Sequence, residues 1–375
     1  MTADVNMSIR SALRCGAALC ALPISLAAQP VVDQFSIHGS LNAGYGKSSA
    51  LPVIGIPTEG TADYRIATLQ FRYKLDDNDQ FVMQVLNRRV GTSPLRGAIG
   101  DLTAQWAFWQ HDAGAFTVKF GRSPLPRGLL NEVRYIGTLI PFFRVPYEFT
   151  YDAFDAVDGV VGSYRTQLNP HFRFEAHSFL GGSENRNVRS EPSGLSVRVS
   201  RANNMRGGQL YLSGPLGVKL GLYGDRYERI DETTKLAGSR RHHAFSGEID
   251  REYFTVRAEH MRETGTSSSS DLRNSYVNVI AKPSDHWRIA LERSIGDQLV
   301  FPSASPSVKI AAVRSTGASL NYLVSANTVF KFEHHWREGY QFDAFVPPTR
   351  SVGGATLVLP RAYTNYFIGS VALSF

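Results

Sequence analysis

Cysteine is almost missing from this chain, and both examples, Cys15 and Cys20, lie in its first 28 residues. Everything after Ala28 is therefore without disulfides, thiolate metal ligands and cysteine nucleophiles. Long apolar runs are missing after Ala28 too, and a membrane-spanning helix needs roughly 20 such residues. A chain like this enters a bilayer only as a closed barrel, the other architecture that satisfies every backbone polar group. There is no Gly-x-Ser-x-Gly nucleophile elbow, and no Walker loop, dinucleotide fingerprint or His-Glu-x-x-His. His242-His243 and His334-His335 do not make up for this, because neighbouring residues on a strand point to opposite faces. No metal, cofactor or catalytic residue is expected. The formal charge of +7 is spread along the chain rather than clustered, which excludes nucleic acid as the expected partner.

What is present begins with Met1–Ala28, where Arg10 and Arg14 precede an apolar run ending in small residues, Ser25-Leu26-Ala27. This reads as a secretory signal peptide, with Met7 an alternative start. Leu19 before Cys20 is too large for a lipoprotein cleavage site. Setting this segment aside leaves a charge of +6 on residues 29–375.

At the other end, Tyr363, Phe367, Gly369, Val371, Leu373 and Phe375 alternate with Thr364, Tyr366, Ser370 and Ser374. That is a strand with one apolar face, ending on an aromatic residue where termini are usually polar and frayed. A transmembrane barrel accounts for it, since its last strand closes on its first and aromatics sit at the lipid boundary. Similar alternation recurs from Phe35 onward, separated by alternately short and long connections. In the second segment Ala67, Leu69, Phe71, Tyr73 and Leu75 oppose Thr68, Gln70, Arg72 and Lys74; in the fourth, Leu102, Ala104, Trp106 and Phe108 share the apolar face. The expected fold is all-β, a single antiparallel transmembrane barrel over 29–375 with about sixteen strands, 14 or 18 remaining open. The strand between Leu195 and Ser213 is the least defined. Trp106, Trp109, Trp287 and Trp336, with Tyr45, Tyr73 and Tyr363, are expected in interfacial girdles.

After the fifth strand, residues 122–158 break the alternation. Leu129, Leu130, Ile136, Leu139, Ile140, Phe142, Phe143 and Phe149 are too apolar for a solvated loop, each worth roughly 1.5–3 kcal/mol on burial. The lumen of a barrel this size has room to take them in. The loop's charges, Arg122, Arg127, Glu132, Arg134, Arg144, Glu148, Asp152 and Asp155, would then project into the channel.

Signal peptide, strand number, long fifth loop and terminal Phe together resemble the proteobacterial outer-membrane general porin superfamily. The stretch Phe120-Gly-Arg-Ser-Pro…Gly128-Leu-Leu-Asn-Glu-Val-Arg134 is similar to the strand-to-loop junction of porin-like members. The resemblance implies a Gram-negative outer membrane, a homotrimer, and contact with membrane lipid and lipopolysaccharide. It makes Glu132, Glu148, Asp152 or Asp155 the constriction acids, although a loop so rich in arginine departs from the family pattern. It also makes Phe375 the signal read by the assembly machinery.

Alternation alone assigns the pore wall. Arg72, Lys74, Lys119, Arg173, Lys219, Arg257, Arg288, Lys331 and Arg337 face inward, with Glu175, Asp225, Glu259, Glu292 and Glu333. The basic excess sets the expectation: a passive channel for small hydrophilic solutes, weakly selective for anions. A substrate-specific channel and a barrel enzyme are the alternatives.

Overall fold

The computed structural model describes residues 34–93, 102–146, 149, 154–232, 234–265, 271–300, 308–347, 349–352 and 355–375. The signal-peptide segment, Glu148 and Asp152 lie outside them. The strands are β1 (Phe35–Ser48), β2 (Thr61–Lys74), β3 (Asp79–Val90), β4 (Thr103–Ala113), β5 (Phe116–Pro124), β6 (Ala156–Asn169), β7 (Phe172–Glu191), β8 (Gly194–Ser213) and β9 (Val218–Asp231). They continue as β10 (Ala237–Asp250), β11 (Phe254–Gly265), β12 (Asp271–Ala281), β13 (Trp287–Val300), β14 (Val308–Ser325) and β15 (Thr328–Gly339), then β16 (Thr349–Val352), β17 (Ala355–Val358) and β18 (Ala362–Ser374). All but β16 and β17 form one closed antiparallel barrel of sixteen strands. Those two make a small separate hairpin in the connection from β15 to β18, which alternation did not reveal.

Closure runs along β1 and β18, from Ser40 opposite Ser374 to Ser48 opposite Tyr366. At its end Gly39 and Phe375 exchange both backbone hydrogen bonds, each at 3.0 Å. The Phe375 ring lies over Gly39, where any Cβ would collide with it.

Strand β15 shows how sequence becomes wall. Lys331, Glu333, His335 and Arg337 are buried, while Phe330, Phe332 and Trp336 between them are exposed, Phe332 at 64%. Both histidine doublets split across the wall in this way: His242 and His335 are buried, His243 and His334 exposed. Leu220, Phe245, Leu291 and Phe367 extend the exposed apolar face round the cylinder. Water gives such a continuous band no reason to exist.

Two expectations need correcting. Trp106 and Phe108 do not face outward; they are buried with Val82 and Ala156. The cause is a bulge: Gln84 opposes Trp106 and Val85 opposes Ala104, so Gln105 is an extra residue that inverts the phase. Ala107 and Trp109 take the other face, so of Trp106 and Trp109 only Trp109 stays with the outward aromatics, its ring tilted against Phe120 at 5.6 Å. The second correction concerns the alternation of short and long connections. Strands β7 and β8 are 20 residues each, and only Pro192 and Ser193 separate them. Length there goes into the wall instead of a loop.

Candidate functional site

Beyond Pro124 the chain leaves the sheet and returns at Ala156. In between, its backbone bonds to side chains on strands far round the barrel. Ser40 on β1 donates to the Tyr135 carbonyl at 2.9 Å, and Asn42 to that of Phe143 at 2.9 Å. From β14, Ser319 and Asn321 both donate to the Pro141 carbonyl, at 2.9 and 3.0 Å. From β15, Lys331 Nζ donates to the carbonyls of Ile140 (2.7 Å) and Phe142 (3.0 Å), and Glu333 accepts from the Phe143 N–H at 2.6 Å. On β11, Glu259 accepts from the Leu129 N–H at 3.0 Å. All these wall residues belong to the buried faces of their strands.

The apolar residues of the segment follow the same logic. Leu125, Leu130, Ile140, Val145 and Phe149 pack with Phe179, Tyr223, Met261 and Tyr276; Tyr135 and Phe143 pack with Tyr64, Tyr366 and Ile368. Leu139 is the exception, 56% exposed. Gly137 marks a close approach to the wall, since a Cβ there would stand 2.9 Å from both Ala372 Cβ and Asn42 Cβ. Gly137→Val is expected to lower stability by roughly 1–3 kcal/mol through overpacking, read as a depressed thermal midpoint in detergent. An unchanged midpoint would show that the segment yields freely there.

The segment's charges do not project freely as expected. Arg127 is 5% exposed, directs Nη2 to Met261 Sδ at 2.9 Å and the Phe149 carbonyl at 3.4 Å, and lies over the Phe154 ring. Arg134 is buried as well, donating to Asn131 and stacked on Tyr135. Arg144 is half-buried and donates to the Ile54 carbonyl and the Tyr64 hydroxyl. Asp155 is buried, accepting from Gln105 at 3.0 Å and the Tyr135 hydroxyl at 2.8 Å. Arg122 is not in the segment at all: it belongs to β5 and pairs with Asp158 of β6 at 2.8 Å. Buried charges need partners, and these fasten the segment in place. Among the segment's described charges, Glu132 alone is exposed.

No protein-family model and no curated protein matches the sequence. Solved structures do match by shape. OmpF of Salmonella typhi, in complex with daunomycin, aligns over 91% of this chain and 97% of its own, at 12% identity and a TM-score of 0.58. The anion-selective porin of Comamonas acidovorans aligns over 91% and 99%, at 10% identity and 0.57. OmpT of Vibrio cholerae aligns over 91% and 97%, at 10% identity and 0.56. The chain has the porin fold.

Within this porin fold the sequence-assigned wall residues divide into fastened and free. Lys331 is consumed by the segment's carbonyls. Arg257 pairs with Glu248, Arg173 with Glu175 at 3.2 Å, and Arg337 donates to the Gln341 carbonyl. Arg288 is occupied at its turn by the carbonyls of Ser284 and Trp287. Arg72, Lys74 and Lys119 have no ion-pair partner among the described residues. Lys119 lies over the Phe108 ring, and Lys219 over Tyr211 at 4.0 Å.

Of the unpaired cations, Lys119 lies near Glu132, and Arg72 near Lys119. Lys119 has Glu132, Arg165, Asp112 and Arg72 as its electrostatic neighbours; His177 has Glu132, Arg165, Glu175 and Lys119. Glu132 thus shares a cluster with Arg72 on β2, Lys119 on β5 and Arg165 on β6, the last paired with Glu175 of β7 at 3.6 Å. Sequence reasoning missed Arg165. Its parity with Ser163 and Val161 on β6 places it on the inward face, a signal available from alternation alone.

Proposed function

We propose that this chain is an outer-membrane channel for passive diffusion of small hydrophilic solutes, weakly selective for anions. In this reading the 125–155 segment lies inside the barrel as its constriction, with the long connections outward and both termini on the periplasmic side. The carrying observation is the cluster that Lys119 forms with Arg72, Arg165 and Glu132, the one exposed acid among the segment's described residues. A ring of fixed charge filters ions through its field. The exterior apolar band suits a hydrocarbon surround, with a Gram-negative outer membrane and its lipopolysaccharide as the setting. Assembly as a homotrimer accords with the trimer form described for OmpT of Vibrio cholerae, and residues 1–28 serve as the export signal. Phe375 then has two duties, capping the seam over Gly39 and presenting the assembly signal.

Single-channel recording in planar bilayers tests this reading. The expected result is ohmic conductance with a reversal potential of anion sign across a potassium chloride gradient. A barrel that inserts without conducting, or that prefers potassium, would overturn it. Hydrolysis of ester or peptide substrates by the purified barrel would favour an enzyme instead.

A further inference from the structure

Glu259 on β11 is 3% exposed, and its carboxylate accepts from three directions. Oε1 takes the Leu129 N–H at 3.0 Å and the Ser246 hydroxyl of β10 at 2.5 Å, while Oε2 takes the Tyr276 hydroxyl of β12 at 2.5 Å. Hydrogen bonds to an ionised acceptor are the strong kind. Two of these come from neighbouring strands and hold the carboxylate still; the third reaches out of the wall to the 125–155 segment. Gly128, next to Leu129, has a φ of +67°, and a Cβ on it would stand 2.7 Å from Glu259 Oε1. Glycine alone lets the backbone come this near in this conformation.

The stretch that carries Glu132 is tied to itself at its neck. The Leu125 N–H donates to the Asp155 carbonyl at 2.9 Å, and Asn131 Nδ2 donates to the carbonyls of Leu125 (2.7 Å) and Asp155 (3.0 Å). Just beyond Glu132, the Val133 N–H turns back to the Leu130 carbonyl at 3.3 Å. Glu132 therefore stands between two fixed points, the neck at Asn131 and the wall contact at Leu129. The later part of the segment is fastened elsewhere, with Tyr135, Pro141 and Phe143 bonded to Ser40, Ser319 and Asn42.

We infer that Glu259 is a positioning residue for ion selectivity. It holds the turn at Gly128 and Leu129 so that Glu132 is kept in the cluster with Lys119, Arg72 and Arg165. A site held by bonded and packed supports keeps its geometry, and one without them loosens. Glu259 acts through Glu132 and not through its own charge, since its oxygens are enclosed by their three donors. The inference rests on the channel reading proposed above, in which Glu132 belongs to the ion filter.

The test is the reversal potential of the full-length barrel across a potassium chloride gradient at a mean of about 0.01 M, where the Debye length is about 30 Å. Glu132→Gln sets the scale, with an expected shift toward anions of about three- to fivefold in permeability ratio. Glu259→Ala releases Leu129 and should shift the ratio the same way by about twofold. Glu259→Gln keeps an acceptor for the Leu129 N–H and should stay near wild type. Gly128→Ala pushes the turn off the carboxylate without changing any charge or any wall residue, so it should follow Glu259→Ala even where the latter weakens the barrel. Placed on Glu132→Gln, Glu259→Ala should add nothing. An equal shift in Glu259→Gln would show that ions sense the Glu259 charge itself and overturn the inference. So would a full shift persisting on Glu132→Gln, or no shift in both Glu259→Ala and Gly128→Ala while Glu132→Gln shifts. If Glu132→Gln itself moves nothing, the filter reading fails and this inference with it.

Discussion

Arg72→Glu combined with Lys119→Glu is expected to turn a weak anion preference into a cation preference. Both side chains are free of ion pairs and belong to one electrostatic cluster with Glu132 and Arg165. The double variant changes the local charge by four units. A unit charge acting across about 8 Å of water contributes about 0.5 kcal/mol, so four contribute about 2 kcal/mol before screening. At physiological salt the Debye length is also about 8 Å, which cuts this to about 0.8 kcal/mol for each ion, of opposite sign for anion and cation, so the permeability ratio changes by roughly tenfold. The shift should grow in dilute salt. Reversal potentials measured across one gradient at two mean salt concentrations give both sign and salt dependence. If the sign stays put, the cluster is not what the permeating ion senses. Glu132→Gln should move the preference the opposite way, by about a quarter as much.

Lys331→Met is expected to loosen the 125–155 segment. Lys331 is 1% exposed and spends its ammonium on the carbonyls of Ile140 and Phe142. Bonds to a charged donor contribute about 1.5–3 kcal/mol each, set against relief from burying the charge. A net loss of about 2–4 kcal/mol follows. That loss falls on the segment and not on the strand ladder, so the barrel persists while the segment opens locally. Higher single-channel conductance and noisier open-channel current are the expected readouts, with a lowered thermal midpoint in detergent. Glu333→Gln keeps an acceptor for the Phe143 N–H and should change much less. Quiet, wild-type current from the methionine variant would mean the segment is held elsewhere, through Glu259 or Asn42.

The wall was readable from the chain because an apolar outer face and a polar inner face impose period two on nearly every strand. On β15 each inward assignment, Lys331 and Arg337 among them, falls on a buried position. Strand β4 resisted because one extra residue, Gln105, flips the phase, and nothing local marks it. The site was harder to read for a different reason. Arg127, Arg134 and Asp155 look like channel charges in sequence, yet their partners, Met261, Asn131, Gln105 and Tyr135, are set by the fold and mostly lie far off in the chain. Periodicity says which way a side chain points and says nothing about whether it is already engaged. Glu132 stays free because the chain turns it toward basic residues without bringing any into contact.

The seam between β1 and β18 has a temporal consequence. Ser40 finds its partner in Ser374 and Gly39 in Phe375, residues at opposite extremes of the described chain. Until both exist and meet, two strand edges stay open, and an open edge invites pairing with other chains. Such long-range contacts also form slowly, because loop closure must precede any reward. The cylinder therefore cannot be completed piecemeal as synthesis proceeds. Its chain has to stay unpaired and shielded until β18 is in hand.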